Sequence, residues 1–260
     1  MTNWRIFIFK VKSKWFLRAK SMTERLDKAM LSRDLVRTRS QARMLIEQGD
    51  VLVNGKQATK PGLVVKEEDQ VEISGRNLYV GRGAYKLEKA IEEFELDFTN
   101  YVVADVGAST GGFTEVSLKN GASKVYAIDV GHGQLADILK NDERVINLEG
   151  VNAKYPIDIK EKVDAVVMDL SFISLRSVLK NALNLLRPQG IAVVLIKPQF
   201  EAGPERVGKN GIVKESVAKS VLNETLDWIR KENILIENVI NSPITGKTGN
   251  KEFLALLRIA

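Results

Sequence analysis

Val102-Val103-Ala104-Asp105-Val106-Gly107-Ala108-Ser109-Thr110-Gly111-Gly112-Phe113-Thr114 is the stretch on which the fold turns. Its first half is an apolar run of strand length that ends at Asp105, and its second half is a glycine-rich turn that opens a helix. A strand feeding a helix through glycines is the first crossover of a doubly wound parallel sheet, where nucleotide-like ligands sit. Gly107 and Gly111 are four residues apart. That spacing is not the dinucleotide pattern G-x-G-x-x-G, so no pyrophosphate cradle is implied. S-adenosylmethionine, which has no phosphate, is compatible with it.

Outward from this turn the pattern repeats. Strand-like runs at Val125 to Asp129, Val145 to Leu148, Ala165 to Asp169 and Ile191 to Lys197 alternate with helical stretches, which predicts an α/β, doubly wound, mostly parallel sheet. Ile234 to Ile240 and Glu252 to Ile259 have no helix between them and predict an antiparallel pair at one edge, seven strands in all. Before the sheet, a small α+β unit is expected. Arg25-Leu26-Asp27 with Leu31 starts one helix, and Ser40 is expected to cap a second that carries Ala42, Leu45 and Ile46 and ends at Gly49. Asn54-Gly55 joins Val51-Leu52-Val53 to Lys56-Gln57-Ala58 as a hairpin, and extended pieces follow Pro61-Gly62 near Val64 and at Val71 to Ile73. The expected organisation is a basic extension over 1–21, upstream of a start at Met22, an RNA-binding unit over 22–74, a glycine-rich linker over 75–85 and the sheet domain over 86–260.

The net charge of +6 over 260 residues is misleading as a guide to partners. Arg5, Lys10, Lys12, Lys14, Arg18 and Lys20 account for all of it, since the remaining 33 basic residues are matched by 33 acidic ones. Residues 1–21 could also form a basic amphipathic arm against RNA or membrane. With no cysteine and a single histidine, thiolate zinc sites, disulfides and histidine-rich metal sites are excluded, and no metal is expected. No run approaches the ~18–20 apolar residues of a membrane span. Trp4 to Phe9 lacks the flanks of a signal peptide, so a cytoplasmic location is expected.

Several side chains are placed for chemistry. Asp129 ends the second strand, where it can accept from both ribose hydroxyls of a cofactor, and Glu149 or Asn152 after the third can reach an adenine. Gly107, Ser109, Thr110, Gly111, Gly112 and Phe113 are expected around the same ligand. Asp169, Lys197 and Glu252 stand at strand ends facing the crevice. A lysine directly after an apolar strand needs a partner or a function, and a plain salt bridge between Asp169 and Lys197 is the simpler alternative. For RNA, Arg25, Arg33, Arg37, Arg39, Arg43, Lys56 and Lys60 fall within 36 residues of the small unit; the alternative is a solvated basic face. Gly203 to Gly211, with Arg206 and Lys209, is expected to be a mobile loop over the active site. His132, in a glycine-flanked loop beside Asp129, is expected to shape the cofactor pocket.

From Thr23 to Ala260 the chain resembles the TlyA family, often labelled hemolysin, of ribosomal-RNA 2′-O-methyltransferases. The resemblance is carried by Arg25-Leu26-Asp27, Val53-Asn54-Gly55, Lys60-Pro61, Lys86-Leu87, Gly107 to Thr114, Asp129-Val130-Gly131 with Gly133-Gln134-Leu135, Ser171 to Leu175, Lys197 to Gly203, and Ser242-Pro243-Ile244 through Gly249 to Leu254. It implies S-adenosylmethionine as cofactor and a ribosomal-protein-like RNA-binding module over 23–73. It also implies a tetrad of Lys86, Asp169, Lys197 and Glu252, with ribosomal RNA or ribosomal subunits as partner. The implied target is cytidine in large-subunit RNA, sometimes also in small-subunit RNA. One departure is visible, because Gly81-Arg82-Gly83-Ala84 stands where the family usually has Ser-Arg-Gly-Gly.

A ribose hydroxyl is a poor nucleophile and must lose its proton as it attacks. Lys197 is expected to be the base and Lys86 to steady the developing oxyanion. Lys86, the sulfonium and burial disfavour the charged form of Lys197, while Asp169 and Glu252 oppose this and fix its orientation. Two rival readings are a membrane-active hemolysin and an RNA-binding ribosome-assembly factor without catalysis. The complete tetrad argues against the second.

Overall fold

In the computed structural model, the structure describes residues 23–36, 38–73 and 79–259. The basic extension 1–21, Arg37 and residues 75–78 of the expected linker lie outside them. The chain forms two compact units that divide between Arg76 and Asn77.

In the first unit, β1 (Thr23–Arg25) leads into α1 (Leu26–Ser32), followed by α2 (Arg39–Gln48), β2 (Val51–Val53), β3 (Lys56–Ala58), β4 (Val64–Lys66) and β5 (Val71–Ile73). β1 pairs antiparallel with β4, and β2 is the middle of a three-stranded sheet between β3 and β5. Leu26, Met30, Leu45, Ile46, Val51 and Val65 are fully buried and form its core. The hairpin turn forms as read, with φ positive at both Asn54 and Gly55. The cap differs from expectation. Thr38, not Ser40, caps α2, because Thr38 is still extended and its side chain accepts the amide of Gln41, while Ser40 already lies inside the helix.

In the second unit, α3 (Gly83–Glu93) precedes β6 (Val102–Val106), α4 (Gly112–Lys119), β7 (Lys124–Asp129), α5 (Asp137–Lys140) and β8 (Val145–Glu149). Then come β9 (Val163–Met168), α6 (Leu179–Leu183), β10 (Leu186–Ile196), α7 (Pro198–Glu201), α8 (Glu215–Lys231), β11 (Ile234–Asn241) and β12 (Phe253–Ile259). The sheet has seven strands in the order β11-β12-β10-β9-β6-β7-β8. β10, β9, β6, β7 and β8 run parallel, while β12 is antiparallel to β10 and to β11. Burial on both faces follows the two-residue period of a strand: Val106, Ile128, Met168 and Val194 pack on one face with Leu179 and Ile229, whereas Val103, Val125, Val167 and Leu195 pack on the other with Leu87 and Val116.

Residues 79–85, expected as linker, are folded into this unit. Tyr79, Ala84 and Tyr85 are buried, the two tyrosine rings meet edge to face at 5.4 Å, and the amide of Val80 donates to Glu115 Oε2. The local glycines serve packing. A Cβ on Gly112 would stand 2.8 Å from the amide nitrogen of Ala84, so only glycine lets α3 and α4 begin this close together.

Candidate active site

The carboxyl ends of β6, β7, β9 and β10 meet along one edge and present Gly107, Asp129, Asp169 and Lys197 in turn. Lys86 arrives from the first turn of α3, and Glu252 from the residue before β12. The structure joins four of these in one network. Lys86 Nζ lies 2.7 Å from Glu252 Oε2 and 3.2 Å from Asp169 Oδ2, and Lys197 Nζ lies 2.6 Å from Asp169 Oδ1. Lys197 also donates to Ser171 Oγ at 2.8 Å, and Gln199 Nε2 reaches Glu252 Oε1 at 3.4 Å. Lys86, Lys197 and Glu252 are buried. Isolated charges would not survive there, and two cations set against two anions can. Burial pushes the Asp169 carboxyl up, but the charges and hydrogen bonds of Lys86 and Lys197 outweigh it and hold Asp169 below the usual carboxylate range.

Gly107 makes this arrangement possible. Its φ is +94°, and a Cβ there would lie 2.7 Å from the carbonyl oxygen of Asp169. No other residue allows the end of β6 to pass so close to the end of β9.

Beside the network is a cavity of about 350 Å³, lined among others by Gly107, Asp129, Asn152, Leu170, Phe172 and Ile173. Asp129 is held by backbone amides, its Oδ2 accepting from Ser109 and its Oδ1 from Gly131. Each oxygen keeps a lone pair for another donor. These residues fit S-adenosylmethionine: a carboxylate for ribose hydroxyls, an amide side chain and apolar walls for adenine, in a volume typical of cofactor sites. Under the turn, Asp105 is 1% exposed, with Oδ2 accepting from Thr114 and Oδ1 without a partner. Burial pushes its carboxyl up to about 7, and the charges of Asp169 and Asp129 add to the rise.

Several expectations for this region change. Asn152 lines the cavity, whereas Glu149 accepts from the amide of Gly133 and the side chain of Asn147 and so faces the 131–133 loop. Phe113 is 3% exposed and belongs to the core, and Gly112 packs on the start of α3, so neither faces the cavity. Ser109, Thr110 and Gly111 form the turn above it, with Ser109 engaging Asp129 through its backbone. The His132 side chain is 78% exposed, 3.9 Å from Glu149, and is not part of the lining, because its loop turns outward. The segment Gly203 to Gly211 is folded into two short 3₁₀ turns rather than left as an open loop. Arg206 pairs with Glu224 of α8, and the Asn250 side chain bonds both Gly211 and Val213.

In the first unit, the basic residues divide into two kinds. Asp27 is fully buried, and Arg25, Arg39 and Arg43 converge on it with Nε to carboxylate distances of 3.0, 2.8 and 3.1 Å. Burial would raise the Asp27 carboxyl, but the three arginine hydrogen bonds win and hold it far below the usual range. Each arginine side chain remains 41–50% exposed, so outward donors of a spread guanidinium cluster stay available. Arg33 differs from expectation, because its two terminal nitrogens donate to the carbonyls of Asp69 and Lys66 and brace the fold instead. Lys56 and Lys60 are exposed.

Sequence reasoning assigned no role to Asp27, Ser171 or the apolar lining at Leu170 and Ile173. Position offered a signal for two of them: Ser171 stands two residues past a strand-end aspartate, and Asp27 sits directly beside the buried Leu26.

Residues 79–259 match the FtsJ-like methyltransferase family, and residues 24–71 match the S4 domain. Hemolysin A of Brachyspira hyodysenteriae is 40% identical, over 89% of this chain and 98% of its own length. The 16S/23S rRNA (cytidine-2′-O)-methyltransferase TlyA of Mycobacterium tuberculosis is 41% identical, over 90% of this chain and 89% of its own. A solved structure from Streptococcus thermophilus, carrying a hemolysin label, superposes with a TM-score of 0.70 at 40% identity, covering 90% of this chain and 88% of that one. Among the described residues no helix is long and apolar enough to cross a membrane. The chain belongs to the TlyA family of FtsJ-like methyltransferases, in which an S4 domain precedes the methyltransferase domain.

Proposed function

We propose that this protein methylates the 2′-hydroxyl of a cytidine ribose in ribosomal RNA, with large-subunit RNA as the principal target and small-subunit RNA as a further one. The observation that carries this reading is the buried network of Lys86, Asp169, Lys197 and Glu252 at the edge of the cofactor cavity. When bound, S-adenosylmethionine supplies an electrophilic methyl carbon on a positive sulfur. Asp129 and Asn152 would hold its adenosine, and the Gly107 to Gly111 turn would let backbone approach it.

Lys197 Nζ takes the proton of the ribose hydroxyl. Lys86, held between two carboxylates, steadies the oxygen as negative charge develops there. Asp169 aligns both amines through its two oxygens. Much of the rate would come from these residues holding the ribose hydroxyl on one rigid edge beside the cofactor cavity.

On the small unit, Arg25, Arg39, Arg43, Lys56 and Lys60 bind RNA phosphates, which positions the RNA without reading its sequence. A ribosomal substrate implies a cytoplasmic protein. The reading is tested with Lys197→Ala: it binds S-adenosylhomocysteine as tightly as the parent and yields no methylated RNA, and near-normal turnover overturns the assignment.

A further inference from the structure

Lys197 and Lys86 share Asp169 but differ in their second partner. Lys86 Nζ has two carboxylates, Asp169 Oδ2 at 3.2 Å and Glu252 Oε2 at 2.7 Å. Lys197 Nζ has one carboxylate, Asp169 Oδ1 at 2.6 Å, and one hydroxyl, Ser171 Oγ at 2.8 Å. We propose that Ser171 is a positioning residue of the methyl transfer, whose hydroxyl accepts one Lys197 N–H so that the neutral amine presents its lone pair to the ribose hydroxyl. The inference rests on Lys197 being the base.

A neutral primary amine has two N–H donors and one lone pair. With one N–H on Asp169 and the other on Ser171, and Cε in the third tetrahedral direction, the fourth direction is fixed. Remove Ser171, and rotation about the Cε–Nζ bond scatters the lone pair. In the step itself, the proton passes from O2′ to Nζ, the O2′ electron pair forms the bond to the methyl carbon, and the carbon–sulfur pair leaves with sulfur.

The same contact distinguishes the two lysines. Ser171 gives Lys197 a neutral acceptor, whereas Glu252 gives Lys86 a second carboxylate. The charged group in contact with Lys197 is Asp169, whose other oxygen faces Lys86, and Lys86 in turn pairs with Glu252. Phe200 offers a neutral ring 5.9 Å away.

Ser171 is held for this role. Glu201, four residues after Lys197, accepts from Ser174 Oγ and from the amide of Leu175, both at 2.7 Å, which ties the loop after β9 to α7. Next to Ser171 the chain turns sharply at Phe172, with φ 64°, and sends that ring outward, 91% exposed.

Steady-state methyl transfer to both ribosomal subunits, purified from cells lacking this gene, tests the inference. Ser171→Ala lowers kcat roughly tenfold to a hundredfold, as a misdirected reacting group does, while KM for subunits and affinity for S-adenosylhomocysteine stay unchanged. Ser171→Thr, which keeps the hydroxyl, recovers most of the rate. Ser171→Asp moves the pH of half-maximal rate upward, because a second carboxylate holds the proton on Lys197. Unchanged kcat in Ser171→Ala, Ser171→Thr as slow as Ser171→Ala, or an unmoved pH profile in Ser171→Asp overturns this inference. If Lys197→Ala is inactive in the same assay, the reading of Lys197 as base survives that failure; if Lys197→Ala is active, the reading itself falls.

Discussion

Lys86 Nζ and Glu252 Oε2 meet at 2.7 Å across 166 residues of chain, with both side chains buried. The pair closes the methyltransferase domain, joining its first helix to the start of its last strand. Removing one member of a buried pair is expensive because it strands the other charge. Glu252→Ala therefore lowers stability at neutral pH by about 3 kcal/mol, at the low end because Asp169 still faces Lys86, and it removes methyl transfer. Denaturant unfolding reads the first effect and labelled-methyl incorporation the second, and a variant as stable and active as the parent contradicts the account.

Much of this was legible beforehand, and the reasons are physical. The strands β6, β7, β9 and the second half of β10 are buried on both faces, so each reads as a continuous apolar run, and the crossover glycines mark where β6 turns. Glu252 was legible from its place at a strand end, but Lys86, on a helix 166 residues away, was reachable only through the resemblance to a known family, because no local pattern encodes a contact closed by tertiary structure. Side-chain destinations were less legible. Arg33 and Arg39 look alike in sequence, yet one is bound to two backbone carbonyls and the other fans out over Asp27. Gly81 and Gly83 read as linker because glycine signals freedom and close packing in the same letter. Phe113 follows the glycines of a ligand turn, but its ring falls on the core side of α4.

Asp27 makes the stability of the small unit depend on acid. Its folded carboxyl lies below its unfolded value, so its contribution is fully present above the ordinary range near ~3.9 and is lost as pH falls below it. The half-exposed arginines weaken each pair by solvent screening. Hydrogen exchange of α1 and α2 in the full chain, corrected for intrinsic rates, shows protection falling in this acid window. Asp27→Asn shows reduced protection already at neutral pH and no further drop; equal protection in parent and variant contradicts the assignment.

Asp105 acts in the opposite sense. A carboxyl raised to about 7 by burial opposes folding once ionised. That penalty is absent below its unfolded value, grows as pH rises through the window up to about 7, and is full above it. Asp105→Asn keeps a group able to bond Thr114 and removes the charge. It stabilises the methyltransferase domain by up to about 4 kcal/mol at pH above 7 and by progressively less toward acid. Thermal melts at a series of pH values check this, and a gain independent of pH contradicts it.

The central claim is that the Lys86, Asp169, Lys197 and Glu252 network transfers a methyl group to a ribose oxygen of ribosomal RNA. The most direct measurement incubates the protein with methyl-labelled S-adenosylmethionine and ribosomal subunits from cells lacking the gene, digests the RNA to nucleosides and identifies the labelled one by mass spectrometry. The account predicts label in 2′-O-methylcytidine with the parent protein and none with Lys197→Ala, whereas label on a base, or no label with the parent, contradicts it.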